Sequence, residues 1–167
     1  EAENGAEISE AELLTGLLIG YEIACRAGAS LHDSACDYHT SGAWVALAAA
    51  AIGARILKLD AEQTRHALGI AEYHGPRSQM MRCIDFPTML RDGVGWGAPS
   101  GVTAAYLAQA GFTGAPALTC DSAEAEPFWA DLGRNWLTVD HTHYKPYPCC
   151  RWAHPAIDAA YELMRDN

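Results

Sequence analysis

Positive charge is scarce in this sequence. Of 167 residues only 11 are Lys or Arg, against 21 Asp or Glu, which leaves a formal net charge of −10. Such a chain lacks the basic footprint of a nucleic-acid binder and repels polyanions at long range. Long apolar runs are missing too. The most apolar stretch, 43–54, is Ala-rich and falls short of the ~20 residues that span a bilayer, so no membrane association is expected. The six cysteines (Cys25, Cys36, Cys83, Cys120, Cys149 and Cys150) contain no Cys-x-x-Cys pair, so zinc-ligand spacing is absent. A chain this apolar does not need disulfide staples, and its acidic N-terminus is the reverse of a signal peptide. Both points lead to an expectation of reduced thiols and a cytoplasmic location.

What is present is helical pattern and enough apolar material for a core, with 50% of residues hydrophobic. Ser9-Glu-Ala-Glu12 has the form of a capping box. Leu13, Leu14, Leu17, Leu18 and Tyr21 follow at helical spacing, with Gly28 as the expected stop. A second helix is expected from about Ser41 to Leu57, its alanines suited to close helix contact. A third starts at Asp60 with Gln63 as the box partner and ends near Tyr73. Residues 76–94 read as a loop. Gly97, Gly101, Ala105 and Ala108 then line one face of a fourth helix, a stripe on which another backbone can lie close. A short acidic helix is expected around Phe128 and Trp129, an extended segment from Trp136 to Pro148, and a last helix opened by His154-Pro155. The fold class is mainly α, with a short extended segment near the C-terminus.

Several constellations are candidates for chemistry. Gly93-Val-Gly95-Trp-Gly97-Ala98 matches a dinucleotide fingerprint, but no buried strand precedes it and no βαβ unit surrounds it. It reads as a turn and a tight helix start, and no cofactor is expected. His141-Thr-His143 puts two imidazoles on one face of an extended segment without a third ligand nearby, so no metal is expected either. Arg77, Arg82 and Arg91 gather three guanidinium forks in one loop beside a helix start. They suit a small polyanionic acid, or else form surface ion pairs with Asp85 and Asp92. His39, just before a helix, reads as a general base or as a satisfied loop histidine. Lys145 lies in Tyr144-Lys-Pro-Tyr-Pro148. That stretch could desolvate the amine for proton transfer or simply expose it on an edge strand.

In order along the chain, six segments resemble the MmgE/PrpD family. They are Gly20-Tyr-Glu-Ile with Tyr38-His-Thr-Ser-Gly42, Leu59-Asp-Ala-Glu-Gln-Thr-Arg-His-Ala-Leu-Gly-Ile-Ala71, and Met89-Leu-Arg-Asp-Gly-Val-Gly-Trp-Gly-Ala98. Gly111-Phe-Thr-Gly114 follows, and then the run from Lys145-Pro-Tyr-Pro-Cys-Cys150 through His154-Pro-Ala-Ile-Asp-Ala159. That family includes 2-methylcitrate dehydratase, cis-aconitate decarboxylase and iminodisuccinate epimerase. The resemblance implies a lyase or isomerase that moves a proton α to a carboxylate on a small di- or tricarboxylic acid. It also implies a homodimer with no obligatory cofactor or metal, and a site between a large helical domain and a smaller α+β domain. Chemistry of that kind needs a tuned acid or base and cations for the carboxylates.

By the same resemblance, His39 and Lys145 take the catalytic positions. Arg91 stands where relatives usually carry a lysine, and as an arginine it suits carboxylate binding better than proton transfer. Arg77, Arg82, Cys150 and His154 are the further candidates for substrate binding. Family chains are much longer, so the resemblance implies an internal piece. Residues 1–139 would belong to the large helical domain and 140–167 would open the second domain, and the piece alone would be inactive. The rival reading is a non-catalytic helical module that associates with itself or with another chain, packing that the Gly97, Gly101 and Ala105 stripe makes plausible.

Overall fold

The structure, a computed structural model, describes residues 8–165. Glu1, Glu3 and Glu7 of the acidic N-terminal run lie outside the described residues. The chain is built from α1 (Glu10–Ser34), α2 (Gly42–Ile56), α3 (Ala61–His74), a single turn α4 (Met81–Ile84), and α5 (Val94–Gln109). Short α6 (Leu118–Asp121), α7 (Glu126–Trp129) and α8 (Leu137–His141) follow. A 3-10 turn (Arg151–Ala153) then leads into α9 (His154–Arg165). The mainly α expectation is met, and among the described residues the β-type pairing is one isolated antiparallel bridge, His39 with Gln79.

Helix starts follow their local chemistry. Asp60 and Gln63 make a reciprocal capping box at α3, a feature worth ~1 kcal/mol. At α1, Ser9 accepts from the Glu12 amide, but the Glu12 side chain turns away and pairs with Arg55 of α2 at 2.6 Å.

The core is made of small residues. Ala46 and Ala50 of α2, Ala67, Ile70 and Ala71 of α3, and Ala104 and Ala108 of α5 form one buried cluster. A Cβ added at Gly97 would lie 2.5 Å from the Gly42 carbonyl oxygen, and one at Gly101 would lie 2.1 Å from that of Ala46. Gly53 meets the Ala105 methyl in the same way. The contact positions rise together along both chains, so α2 and α5 run parallel, backbone against backbone. Such contact gains dispersion energy that larger side chains would prevent.

Three expectations are corrected. The α5 stripe is used up inside the fold: Gly97, Gly101 and Ala105 are buried against α2, so they offer nothing to a second chain. Gly28 does not stop α1, which runs on to Ser34. Its missing Cβ instead admits the Trp44 ring, which a methyl there would meet at 3.3 Å. The segment from Trp136 to Pro148 is not continuously extended, because its first residues wind into α8. They do so because the buried Glu22 carboxylate of α1 accepts from the Leu137 and Thr138 amides and from the Thr138 hydroxyl. Leu13, Leu14, Leu17 and Tyr21 of the α1 apolar pattern are exposed.

Beside Glu22 lies the densest polar network described. Arg26 bonds Glu22 at 2.7 Å, Asp131 at 2.5 Å and the carbonyls of Phe128 and Asn135. Burial works to raise the Glu22 carboxyl, yet its bonds from Thr138, Arg26 and Leu137 outweigh that and hold it below the ordinary range. This network fastens the 126–138 segment to α1.

Candidate functional site

His39 sits where the chain turns from α1 into α2. It is completely buried. Its backbone is held by the bridge to Gln79, flanked by Thr40 N–H to the Ser78 carbonyl and Met80 N–H to the Tyr38 carbonyl, each 2.8 Å. The ring is fixed as well. Nδ1 lies 2.8 Å from the Asp37 carbonyl and must be the protonated nitrogen if it donates there. Nε2 is buried with no hydrogen-bond partner, so that tautomer leaves it with a free lone pair. The rings of His32 and Trp44 pack against it, with centroids at 5.0 and 5.7 Å. Of the two ring nitrogens of His39, one is therefore partnered and the other is not.

Next to His39, two helix N-termini converge. Parallel packing sets the start of α2 at Gly42 against the start of α5 at Gly93, and neither has a side-chain cap from its own N-cap residue. Asp92 reaches across to accept from the Ser41 amide at 2.8 Å. The positive ends of two helix dipoles therefore face the same place, and a carboxylate already occupies part of it.

The three loop arginines distribute unevenly. Arg77 contacts Asp37, whose carbonyl orients His39, at 3.3 Å. Arg91 precedes the α5 start and turns its guanidinium onto the Thr88 and Leu90 carbonyls at 2.8 Å. Arg82 is exposed in α4. Neither Asp85 nor Asp92 pairs with any of them among the described ion pairs, so that alternative is set aside.

Lys145, Cys150 and His154 form a separate group. Lys145 is exposed and its Nζ donates to the Cys149 carbonyl at 2.6 Å. His154 is buried, with Nε2 3.4 Å from that same carbonyl and Nδ1 unpartnered. Its ring meets that of Tyr147 edge-on at 5.1 Å. Cys150 is exposed and free. No bond or ring contact described here joins this group to His39. His141 closes α8, so it and His143 do not share an extended face; among the described residues no group of three potential metal ligands assembles.

Three contributors escaped sequence reasoning: Asp37, Asp92 and Trp44. Asp37 had a local signal, since an acid two residues before a histidine can turn its carbonyl onto the ring. Trp44 stands five residues beyond His39, on the next helix, while Asp92 acts across 51 residues of chain and nothing local announces its role. Among the described residues no helix is long and apolar enough to cross a membrane.

Comparison with known families finds that the model of the MmgE/PrpD N-terminal domain matches residues 2–124. No curated protein and no solved structure matches.

Proposed function

The chain belongs to the MmgE/PrpD family, and from that membership we propose that it supplies the helical side of a site that moves a proton α to a carboxylate. The substrate is a small di- or tricarboxylic acid, and the overall reaction a dehydration, decarboxylation or epimerisation. One observation carries the reading: a buried imidazole with a free Nε2, orientation locked, beside two converging helix N-termini. The free lone pair is the base; the helix ends, with Arg82 and Arg91, attract the substrate carboxylates and the charge that develops on proton removal. Arg91 does this by leaving its two backbone carbonyls for the ligand.

Lys145 is the second proton-transfer group, with Cys150 and His154 beside it. Residues 140–167 open a second, α+β unit, and the site closes only when this unit is docked over His39. The protein works as a homodimer in the cytoplasm, and the exposed α1 ridge of Leu13, Leu14, Leu17 and Tyr21 supports association between copies.

The test is incubation in D2O with citrate-like and iminodisuccinate-like acids, read by NMR. Deuterium should appear at the carbon α to a carboxylate in protein with both units complete, and not after His39→Gln. The 167-residue chain alone should bind such acids, with a rise in Tm that Arg91→Ala abolishes, yet turn over little. Absence of exchange in the complete protein would sink the assignment, and robust turnover by this chain alone would sink the two-unit account.

A further inference from the structure

We propose that a cavity lined by Trp44 binds a small organic ammonium ion with an apolar body. The cavity, about 690 Å³, lies between α1, α2, α3 and the 115–125 segment. That volume is within the usual span for small-molecule sites. Its inner wall is apolar, formed by Leu31 and Leu47 with the Trp44 indole. The indole is held rigidly between Gly28, His32 and His39. At the mouth stands Tyr73, 80% exposed.

The charge around the cavity selects the ligand. Arg77, the cation on its lining, is already offset by Asp37. Glu72 and Glu124 also line it, and neither has a cationic partner among the described ion pairs. Glu72 accepts from the Leu118 and Thr119 amides and the Thr119 hydroxyl, all neutral donors that orient the carboxylate without cancelling its charge. Glu124 is held ionised by its own backbone amide and the Ser122 hydroxyl. The wall is thus net negative over an apolar, aromatic floor. Anions are disfavoured and neutral apolar molecules gain only burial. An alkyl- or arylammonium gains burial, two carboxylates and the neighbouring Trp44 and Tyr73 rings together. This preference is opposite in sign to the polycarboxylate proposed beside His39, so the two sites are chemically distinct.

Three probes of similar size separate the terms: benzyltrimethylammonium, 3-phenylpropanol and 3-phenylpropanoate, titrated into the 167-residue chain by calorimetry and by NMR of the indole N–H signals. The ammonium is expected to bind with a Kd of about 0.1–1 mM, at least ~10-fold tighter than the alcohol, and to shift the Trp44 indole signal. The propanoate should bind least. Glu124→Gln and Tyr73→Ala change exposed side chains and leave the fold intact, and each should weaken the ammonium ~3- to 10-fold. Three outcomes overturn the proposal: equal affinity for all three probes, binding unaltered by both substitutions, or no binding of the ammonium up to about 10 mM. None of these depends on turnover or on His39, so failure here leaves the proton-transfer reading standing, and the reverse.

Discussion

His39 and Lys145 are paired in the proposed chemistry but held in opposite ways. His39 is buried to the last atom, its backbone clasped by the 78–80 segment, its ring wedged between His32 and Trp44, and one nitrogen tied to Asp37. Lys145 is exposed, and its one described bond goes to a carbonyl four residues along its own chain. The first side chain is organised by the α1–α2 turn closed against the 78–80 segment, and the second by a local turn alone. The difference teaches that packing within the helical body fixes His39 in place, while the C-terminal segment holds Lys145 by a bond within its own loop.

The sharpest way to break this contrast is at the joint between the regions. Arg26→Ala leaves Glu22 buried without its cation and cuts the bonds to 128–135, and should cost about 3–5 kcal/mol in denaturant unfolding. The network also predicts a pH dependence. Glu22 is held down by Thr138, Arg26 and Leu137 against its burial, and Asp131 by Arg26 and Asn135, so both bind protons less readily folded than unfolded. Stability from them is present at neutral pH and drains away as pH falls through and below the usual carboxylate range near about 4. The variant's stability should fall less over the same window. If Arg26→Ala unfolds like the wild type at pH 7, the joint is elsewhere.

Within the body, Gly101→Ala drives a methyl onto the Ala46 carbonyl and should lose about 1–3 kcal/mol, because α2 and α5 must move apart. On the same helix Gly95 has nothing within 4 Å of an added Cβ, and Gly95→Ala should gain about 0.5–1 kcal/mol in the same melts. A gain at both positions would mean that propensity, not contact, governs α5. The smallest effect belongs to the other region. Lys145→Ala should shift stability by no more than ~0.5 kcal/mol. Limited proteolysis should nick the 142–150 stretch before any bond within α2 or α5. Early cleavage within the body would reverse the comparison.

Much of this was legible in the chain. The box at Asp60 and Gln63, the alanine-rich α2, the small stripe of α5 and the Pro-started α9 are local patterns, and local patterns write helix positions directly. The reading failed wherever a long-range partner overrode them. Gly28 resembled a stop because glycine ends helices, but here it makes room for Trp44. Trp136–Thr142 resembled a strand because Thr and Val favour one, but the Glu22 carboxylate offered its amides a helical cap. On the site side, His39 and the arginines could be named from their residue types. That Nε2 would be the free nitrogen, or that Arg91 would fold back on its own loop, could not.

By itself, then, the sequence determined the helices, the faces on which they could approach, and the residue types available for proton and carboxylate chemistry. Each of these depends on side-chain spacing over a few turns or on the chemistry of single groups. The tertiary structure decided which small stripe was consumed internally, which apolar ridge was left open, and that Asp92 would cross 51 residues to the start of α2. It also decided that His39 would be buried and locked, and that Lys145 would stay exposed on its own loop. Burial and unmet hydrogen bonds belong to the assembled packing, and no stretch of chain carries them alone.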